Sequence, residues 1–178
     1  MKPLLIGEAP SKNEYPPTPL EGRIGKRLAA LAGLTFEEFL ERFDRVNLLD
    51  VRQDTREKGF EFDMASARKN ALAAWARFKA GQTVILLGKR VADAFGLKTV
   101  PYFQGVTLSE ARVYVMPHPS GVSRWWNDPA NVKQAEEFMR GIVREMEPQT
   151  FRRYGHRFEA PLGTDYCIRC GDVEAMHV

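Results

Sequence analysis

The chain has 178 residues, of which 44% are hydrophobic and 28% charged; this excludes a disordered or collagen-like chain and predicts one compact domain with at most a small appendage. Its 26 basic and 23 acidic residues give a net charge of +3, which permits a nucleic-acid partner without requiring one. The presence of only two cysteines excludes a disulfide framework and a four-cysteine iron–sulfur cluster built within one chain.

The first predicted elements are strands. Four stretches are short, apolar, rich in β-branched residues and closed by turn residues, which is typical of buried strands. They span residues 3–6, 45–49, 83–87 and 112–116.

Helices are predicted between these strands. Residues 22–34 place their apolar side chains on one helical face. Thr35 with Glu38 forms the pattern of a capping box, Asp63 is placed to cap a longer helix, and residues 128–146 form the last one. The alternation of strand and helix predicts an α/β fold, a three-layer α/β/α sandwich around a mainly parallel four-stranded sheet.

Polar groups follow or end three of the four predicted strands. These groups are Glu8, Asn47 and His118. Because the segments after parallel strands meet at one edge of a sheet, we expect a carboxylate, a carboxamide and an imidazole to share a crevice that suits a nucleobase edge. Each residue also has a structural alternative: Glu8 as a cap or surface ion pair, and Asn47 as a satisfied buried amide. His118 lies between two prolines that fix its backbone, which favours a functional role.

Four sequence blocks carry a resemblance to a known family. They are Gly-Glu-Ala-Pro at residues 7–10, PLEGRIG at 19–25, Asn-Leu-Leu-Asp-Val-Arg at 47–52, and His-Pro-Ser at 118–120. In this order and spacing they resemble the uracil-DNA glycosylase superfamily, closest to its iron–sulfur branch, whose pattern runs from Gly-Glu-Ala-Pro-Gly to a His-Pro-Ser loop. The resemblance covers roughly residues 3–140, and the chain lacks the cysteines of that branch's cluster.

The resemblance implies roles for these residues in a DNA glycosylase that flips its base out of the helix. Asn47 would bind the Watson–Crick edge of the base, and His118 would donate to the carbonyl oxygen that gains charge as the glycosidic bond breaks. Glu8, together with Glu14, would orient water or stabilise the cationic sugar. The further base- or DNA-binding positions that it implies are Gly7, Ala9, Pro10, Glu14, Leu20, Ser120 and Arg124.

The sequence departs from the family pattern at positions that affect chemistry. Leu20 stands where the family has the Phe that stacks on the base, and Ser11 stands in place of a Gly. Ala9 stands where the best-known branch has the Asp that activates water, as it does in the iron–sulfur branch. Base preference and the identity of the general base therefore stay open.

A tryptophan-containing loop follows the His-Pro-Ser block. In the resembling enzymes this loop enters the minor groove, so Arg124 would contact phosphate and Val122 or Trp125 would act as a wedge. The alternative is that both tryptophans of this loop are core residues. We expect one to be buried and the other to lie near the mouth of the crevice.

The composition changes after Pro148, and every cysteine lies beyond it. We interpret residues 149–178 as a zinc-binding tail and residues 1–148 as the glycosylase-like α/β domain. A Cys-x2-Cys knuckle with one histidine on each side supplies four ligands for a structural Zn²⁺ and leaves no open position for water. The predicted ligands are His156, Cys167, Cys170 and His177.

The leading hypothesis is a monofunctional DNA N-glycosylase, a hydrolase that releases uracil or a modified pyrimidine without a catalytic metal. A second hypothesis is a non-catalytic DNA or nucleotide binder that keeps the base pocket, and a third is an enzyme acting on free nucleosides or nucleotides. Since residues 1–10 contain one lysine and a short apolar run, we expect no secretory signal and no membrane span. A cytoplasmic monomer is the expected form.

Overall fold

A mixed five-stranded sheet forms the centre of the fold. The structure is a computed structural model that describes residues 1–10, 19–55, 59–120 and 123–147 and two short strands beyond them. In chain order the strands are β1 (Leu4–Gly7), β2 (Asp44–Asn47), β3 (Gln53–Thr55), β4 (Gly59–Glu61), β5 (Thr83–Leu87), β6 (Gly105–Leu108), β7 (Ala111–Met116), β8 (Phe158–Glu159) and β9 (Tyr166–Cys167).

The central sheet has the strand order β2-β1-β5-β7-β6. The pairs β1–β2, β1–β5 and β5–β7 are parallel, and only β6 runs antiparallel, beside β7. β3 pairs with β4, and β8 with β9, as separate antiparallel pairs. The predicted α/β class and the mainly parallel sheet are therefore confirmed, whereas the predicted count of four strands is wrong.

The strand of the central sheet that was not predicted is β6, which gives only a weak sequence signal. Its burial alternates between exposed and half-buried residues. It joins β7 through Ser109 and Glu110, which have φ of 47° and 65°. Two-residue hairpin turns with positive φ at both positions usually contain Asn-Gly or Asp-Gly, so a Ser-Glu turn leaves nothing for a sequence pattern to detect.

The strand order places a topological switch point between β1 and β5. From β1 the chain moves outward to β2 on one side, and it later returns to add β5 and then β7 on the other side. In open α/β sheets, ligands bind in the crevice at the carboxyl ends of the strands at such a point. The residues that directly follow β1 and β5 are therefore the first place to look for a site.

Five α-helices and one 3₁₀ helix connect the strands in the described part of the chain: α1 (Arg23–Ala32), α2 (Phe36–Arg42), α3 (Met64–Trp75), α4 (Lys89–Ala94), a 3₁₀ helix (Arg124–Asn127) and α5 (Pro129–Met146). The predicted caps are present. The Thr35 hydroxyl accepts from the Glu38 N–H at 3.2 Å while the Glu38 carboxylate accepts from the Thr35 N–H at 2.8 Å. Asp63 accepts from the Ala65 and Ser66 N–H groups at the start of α3.

The core lies on both faces of the central strands. Ile6, Val84 and Leu86 share one buried cluster with Ala67 of α3 and Val91 of α4. Side chains alternate along a strand, so their buried neighbours point to the opposite face. The buried residues outside this cluster include Leu5, Ile85 and Leu87 of the strands, Leu28 of α1, Phe39 of α2 and Met139 of α5.

The chain divides into two compact units, Met1–Val143 and Arg144–Val178. The first contains the central sheet and the helices α1 to α4. The second contains the β8–β9 pair. No helix in the described ranges is long and apolar enough to cross a membrane.

Candidate functional site

Glu8 and His118 come together around Gly88, which directly follows β5. A Cβ atom on Gly88 would lie 3.0 Å from His118 Cβ and 3.5 Å from Glu8 Oε1. Gly88 has φ of +101°, a conformation that side-chain-bearing residues rarely adopt. The glycine therefore lets the carboxylate that follows β1 and the imidazole that follows β7 approach each other at the switch point.

The hydrogen bonds of His118 define its tautomer. The Ser120 N–H donates to His118 Nδ1 at 3.3 Å, so the neutral ring carries its proton on Nε2. Burial, assisted by the positive charge of Arg90, lowers the pKa of His118 to about 4. At neutral pH the ring is therefore an uncharged donor through Nε2–H.

The loop that carries His118 is held from its other side. The Trp126 indole N–H donates to the His118 carbonyl oxygen at 2.7 Å, and Arg27 Nη1 donates to the Pro119 carbonyl oxygen at 3.3 Å. The Arg27 guanidinium carbon also lies 4.2 Å from the centre of the Trp126 ring. Helix α1 and the 3₁₀ helix thus hold the backbone of the loop that carries the imidazole.

Glu8 is a mostly buried carboxylate, with 14% of its side chain exposed, that faces a cation. Burial raises its pKa, and the charges of Arg90 and Arg52 partly offset this effect. Arg90 Nη1 lies 3.7 Å from Glu8 Oε2. The Leu49 N–H donates to the Glu8 carbonyl oxygen at 2.9 Å, which ties the backbone of Glu8 to the segment after β2.

Asn47 lies opposite Gly7 in the β1–β2 register. A Cβ atom on Gly7 would lie 2.7 Å from Asn47 Oδ1 and 3.0 Å from Leu20 Cδ2, so only glycine leaves room for the amide and the leucine together. Asn47 Oδ1 is buried and has no hydrogen-bond partner in the described part of the chain. A buried acceptor without a donor is costly, and a ligand N–H would satisfy it.

Leu20 packs on Gly7, on the side where Asn47 Oδ1 also lies, and has a strained conformation. It is 7% exposed and has φ of 60°, which is uncommon for a residue with a bulky side chain. Its carbonyl oxygen packs so closely on the Cα of Gly25 that a side chain at position 25 would collide with it. Strain of this kind clusters at ligand sites, and here it positions an aliphatic surface beside the orphan amide oxygen. We call Gly7, Glu8, Leu20, Asn47, Gly88 and His118 the strand-end site.

The other predicted positions differ in their placement. Ser120 contacts His118 through the hydrogen bond described above, and Pro10 is buried next to the site in sequence. Ala9 packs against the buried cluster that contains Ile6 and Ala67. Arg124 is exposed at the start of the 3₁₀ helix. Glu14, Val122 and the predicted zinc ligands His156, Cys170 and His177 lie outside the described residues, as does the side chain of Cys167.

Sequence reasoning missed three residues of this region. Gly88 and Arg90 follow β5, the one predicted strand whose end carries no obvious catalytic group. Arg45, on β2, is 17% exposed, and its Nε and Nη1 atoms have no hydrogen-bond partner among the described residues, while Nη2 lies 3.8 Å from Glu21. A glycine directly after a buried strand was the available signal for Gly88.

A scan of the sequence against protein-family models gives no match, and a search of curated proteins also gives none. Groups that could hold a metal ion, defined as three or more His, Cys, Asp or Glu side chains together, do not occur within the described ranges.

Proposed function

We propose that the protein is a DNA glycosylase of the uracil-DNA glycosylase superfamily type, a three-layer α/β/α sandwich that hydrolyses the N-glycosidic bond of uracil or a modified pyrimidine. One observation carries the proposal: the buried Asn47 Oδ1 lacks a donor and lies beside Leu20 and Gly7 at the edge where the buried Glu8 carboxylate and the His118 donor also meet. This set of groups matches the needs of a flipped base.

Asn47 Oδ1, the buried acceptor without a donor among the described residues, favours a base with an N–H on its Watson–Crick edge. Uracil and its 5-substituted derivatives carry such an N–H at N3, whereas cytosine presents an acceptor there. The amide NH₂ group of Asn47 can donate to a neighbouring carbonyl oxygen of the same base. Leu20 provides an apolar surface for the ring without the flat stack of an aromatic side chain, which accommodates a base with a substituent.

His118 supplies the main electrostatic contribution to the proposed reaction. When the glycosidic bond breaks, its electron pair passes to the base, and negative charge accumulates on the carbonyl oxygens. Because its pKa is about 4, the His118 imidazole is neutral at neutral pH and carries its proton on Nε2. It therefore donates a hydrogen bond to such an oxygen as an uncharged donor. A fixed donor of this type contributes roughly 3 kcal/mol to transition-state stabilisation.

Glu8 acts on the sugar side. Its carboxylate places negative charge near the oxocarbenium-like sugar and orients the water whose oxygen bonds to C1′. The proton of that water passes to the carboxylate or to solvent, and the departing base is protonated from solvent. Arg90, whose guanidinium lies 3.7 Å from the carboxylate, lowers the pKa of Glu8 against the raising effect of burial and so favours the ionised form.

The test is abasic-site formation on oligonucleotides that contain uracil, 5-hydroxymethyluracil or glucosylated hydroxymethylcytosine, in single and double strands. We expect cleavage of at least one uracil-type base, and a rate at least tenfold lower for both Asn47→Ala and His118→Gln. Gln134→Ala, at an exposed position of α5, is the matched control with an unchanged rate. Cleavage that is equally fast in all variants would overturn the assignment.

A second candidate is a DNA or nucleotide binder that keeps the base pocket and does not cut. Two residues favour this candidate. Leu20 provides no flat stacking surface for the base, and Ala9 supplies no carboxylate for water activation. Tight binding of a base-modified oligonucleotide with no abasic product from any substrate would establish this candidate. A free-nucleotide enzyme differs from both, since it would lack a steep dependence of DNA affinity on salt.

We also propose that His156, Cys167, Cys170 and His177 bind one structural Zn²⁺. The support is the spacing of the Cys-x2-Cys knuckle between two histidines, a donor set that zinc prefers. The metal would supply folding free energy to a segment too short to build a core of its own. Metal analysis of the purified protein tests this assignment, with one zinc per chain expected and iron or no metal contradicting it.

A further inference from the structure

A strip of contacting aromatic rings lies beside the strand-end site. It consists of Tyr102, Phe103, Trp125 and Trp126, and we call it the aromatic strip. The Tyr102 and Trp125 ring centres are 6.0 Å apart in an edge-on arrangement, and those of Trp125 and Trp126 are 4.7 Å apart. Phe103 contacts Trp125 at 5.8 Å and the Phe138 ring of α5 at 5.0 Å.

Three contacts connect the strip to the catalytic edge of the sheet. Trp126 donates to the His118 carbonyl oxygen at 2.7 Å, and the Phe103 N–H donates to the Val115 carbonyl oxygen of β7 at 2.8 Å. On the other side, Lys89, which directly follows Gly88, places Nζ 4.7 Å from the centre of the Tyr102 ring. The aromatic strip therefore extends from the loop that carries His118 to Lys89, the residue after Gly88.

The four rings of the strip have different surroundings. Trp126 is buried, with 7% exposed, and the half-buried Phe103 packs on Phe138 of α5, so core packing accounts for both. Tyr102 and Trp125 each keep part of the ring in solvent, next to the exposed Arg124. Two partly exposed aromatic rings rimmed by cations are typical of surfaces that bind nucleobases.

The backbone beneath the strip is strained. The Gln104 N–H donates to the Pro101 carbonyl oxygen at 3.4 Å, closing a turn in which Phe103 has φ of 64°. That position of a turn normally takes glycine or asparagine. A phenylalanine there costs conformational energy, and its ring fixes the neighbouring Tyr102 against Trp125. Strained backbone conformations of this kind cluster at ligand-binding sites.

We propose that an unpaired nucleobase that flanks the target nucleotide stacks on the Tyr102 ring and contacts Trp125 at its edge, so that the protein prefers single-stranded DNA; the proposal rests on the proposed glycosylase function. Only unpaired bases present a free face to an aromatic ring. Lys89 is held by hydrogen bonds to the Lys98 and Val100 carbonyl oxygens and supports Tyr102, while Arg124 is placed to contact the phosphate backbone.

The test measures binding of a labelled twelve-nucleotide thymine strand and of the corresponding duplex by fluorescence anisotropy. Because thymine strands contain no uracil, binding is read separately from cleavage. We expect the single strand to bind at least tenfold more tightly than the duplex and to quench tryptophan fluorescence. Tyr102→Leu should weaken single-strand binding roughly tenfold, the loss expected for one stacked base, while Tyr102→Phe should keep it.

Leu72→Ala is the matched control, because Leu72 is 66% exposed on α3, outside the strip. Trp125→Leu should remove both affinity and most of the fluorescence quenching. Equal affinity for strand and duplex, or wild-type affinity in Tyr102→Leu, would overturn the stacking role. Tyr102-dependent strand binding without cleavage of any base would overturn the glycosylase function and leave the binding surface in place.

Discussion

Acidification is expected to destabilise the protein through His118, and the effect can be calculated from the structure. The folded-state pKa of this histidine is about 4, against 6.5 for the same group in an unfolded chain. Because the folded value is the lower one, the unfolded state binds the proton more tightly. The stability that comes from keeping the ring neutral is complete above pH 6.5 and is lost as the pH falls toward 4.

The magnitude follows from the size of the shift. A difference of 2.5 pKa units corresponds to a maximum of about 3.4 kcal/mol, of which about 2.5 kcal/mol is lost by pH 4.5. His118→Gln removes the titrating ring and keeps a side-chain donor. The carboxylates with lowered pKa values, such as Glu38 and Asp63, titrate alike in both proteins, so their contribution cancels in the comparison.

The assay is urea unfolding of both proteins, monitored by circular dichroism at pH 7 and pH 4.5. We expect the wild type to lose about 2.5 kcal/mol more than His118→Gln between these two pH values. NMR titration of the imidazole provides a second measurement, with a midpoint near pH 4. An identical loss in both proteins, or a midpoint near the ordinary value for histidine, would refute the view that the ring is a buried neutral donor.

Three further predictions concern the site and the tail. Arg90→Gln should raise the pKa of Glu8 further, so the acidic limb of the pH–rate profile should move to higher pH; an unmoved limb would show that Glu8 does not titrate in that profile. Gly7→Ala should displace the Asn47 amide, whose oxygen would be 2.7 Å from the new Cβ, and lower the cleavage rate about tenfold at a stability cost of about 1–3 kcal/mol. A wild-type rate in that variant would separate Asn47 from the reaction. Cys170→Ser should release zinc, as read by metal analysis, and leave the strand-end site folded; zinc retained at one per chain would exclude this ligand.

The parts of the fold that could be predicted are those with local causes. Thr35 and Glu38 satisfy each other's backbone N–H groups within one turn, so their spacing alone located the start of α2. Asp63, whose side chain caps the first N–H groups of α3, likewise located the start of that helix. The apolar face of α3 was less predictable, because it buries the small residues Ala67 and Ala71 and leaves the larger Leu72 exposed.

The candidate site was partly predictable for a topological reason. Glu8 and His118 follow parallel strands, so the rule that strand ends converge places them at one edge, and Asn47 ends the neighbouring strand. The surroundings of Arg90 and Arg45 depend instead on which helices and strands become neighbours in space, so they could not be predicted from the sequence. Nothing in the local sequence distinguishes a cation that faces Glu8 from one that faces solvent.

The most direct test of the central claim is a crystal structure with DNA that carries 2′-fluorinated deoxyuridine, whose glycosidic bond resists hydrolysis. We predict a base flipped out of the stack, resting on Leu20, with its N3–H donating to Asn47 Oδ1 and a carbonyl oxygen accepting from His118 Nε2. A base that stays stacked in the DNA, or that binds with Asn47 Oδ1 still unpaired, would contradict it.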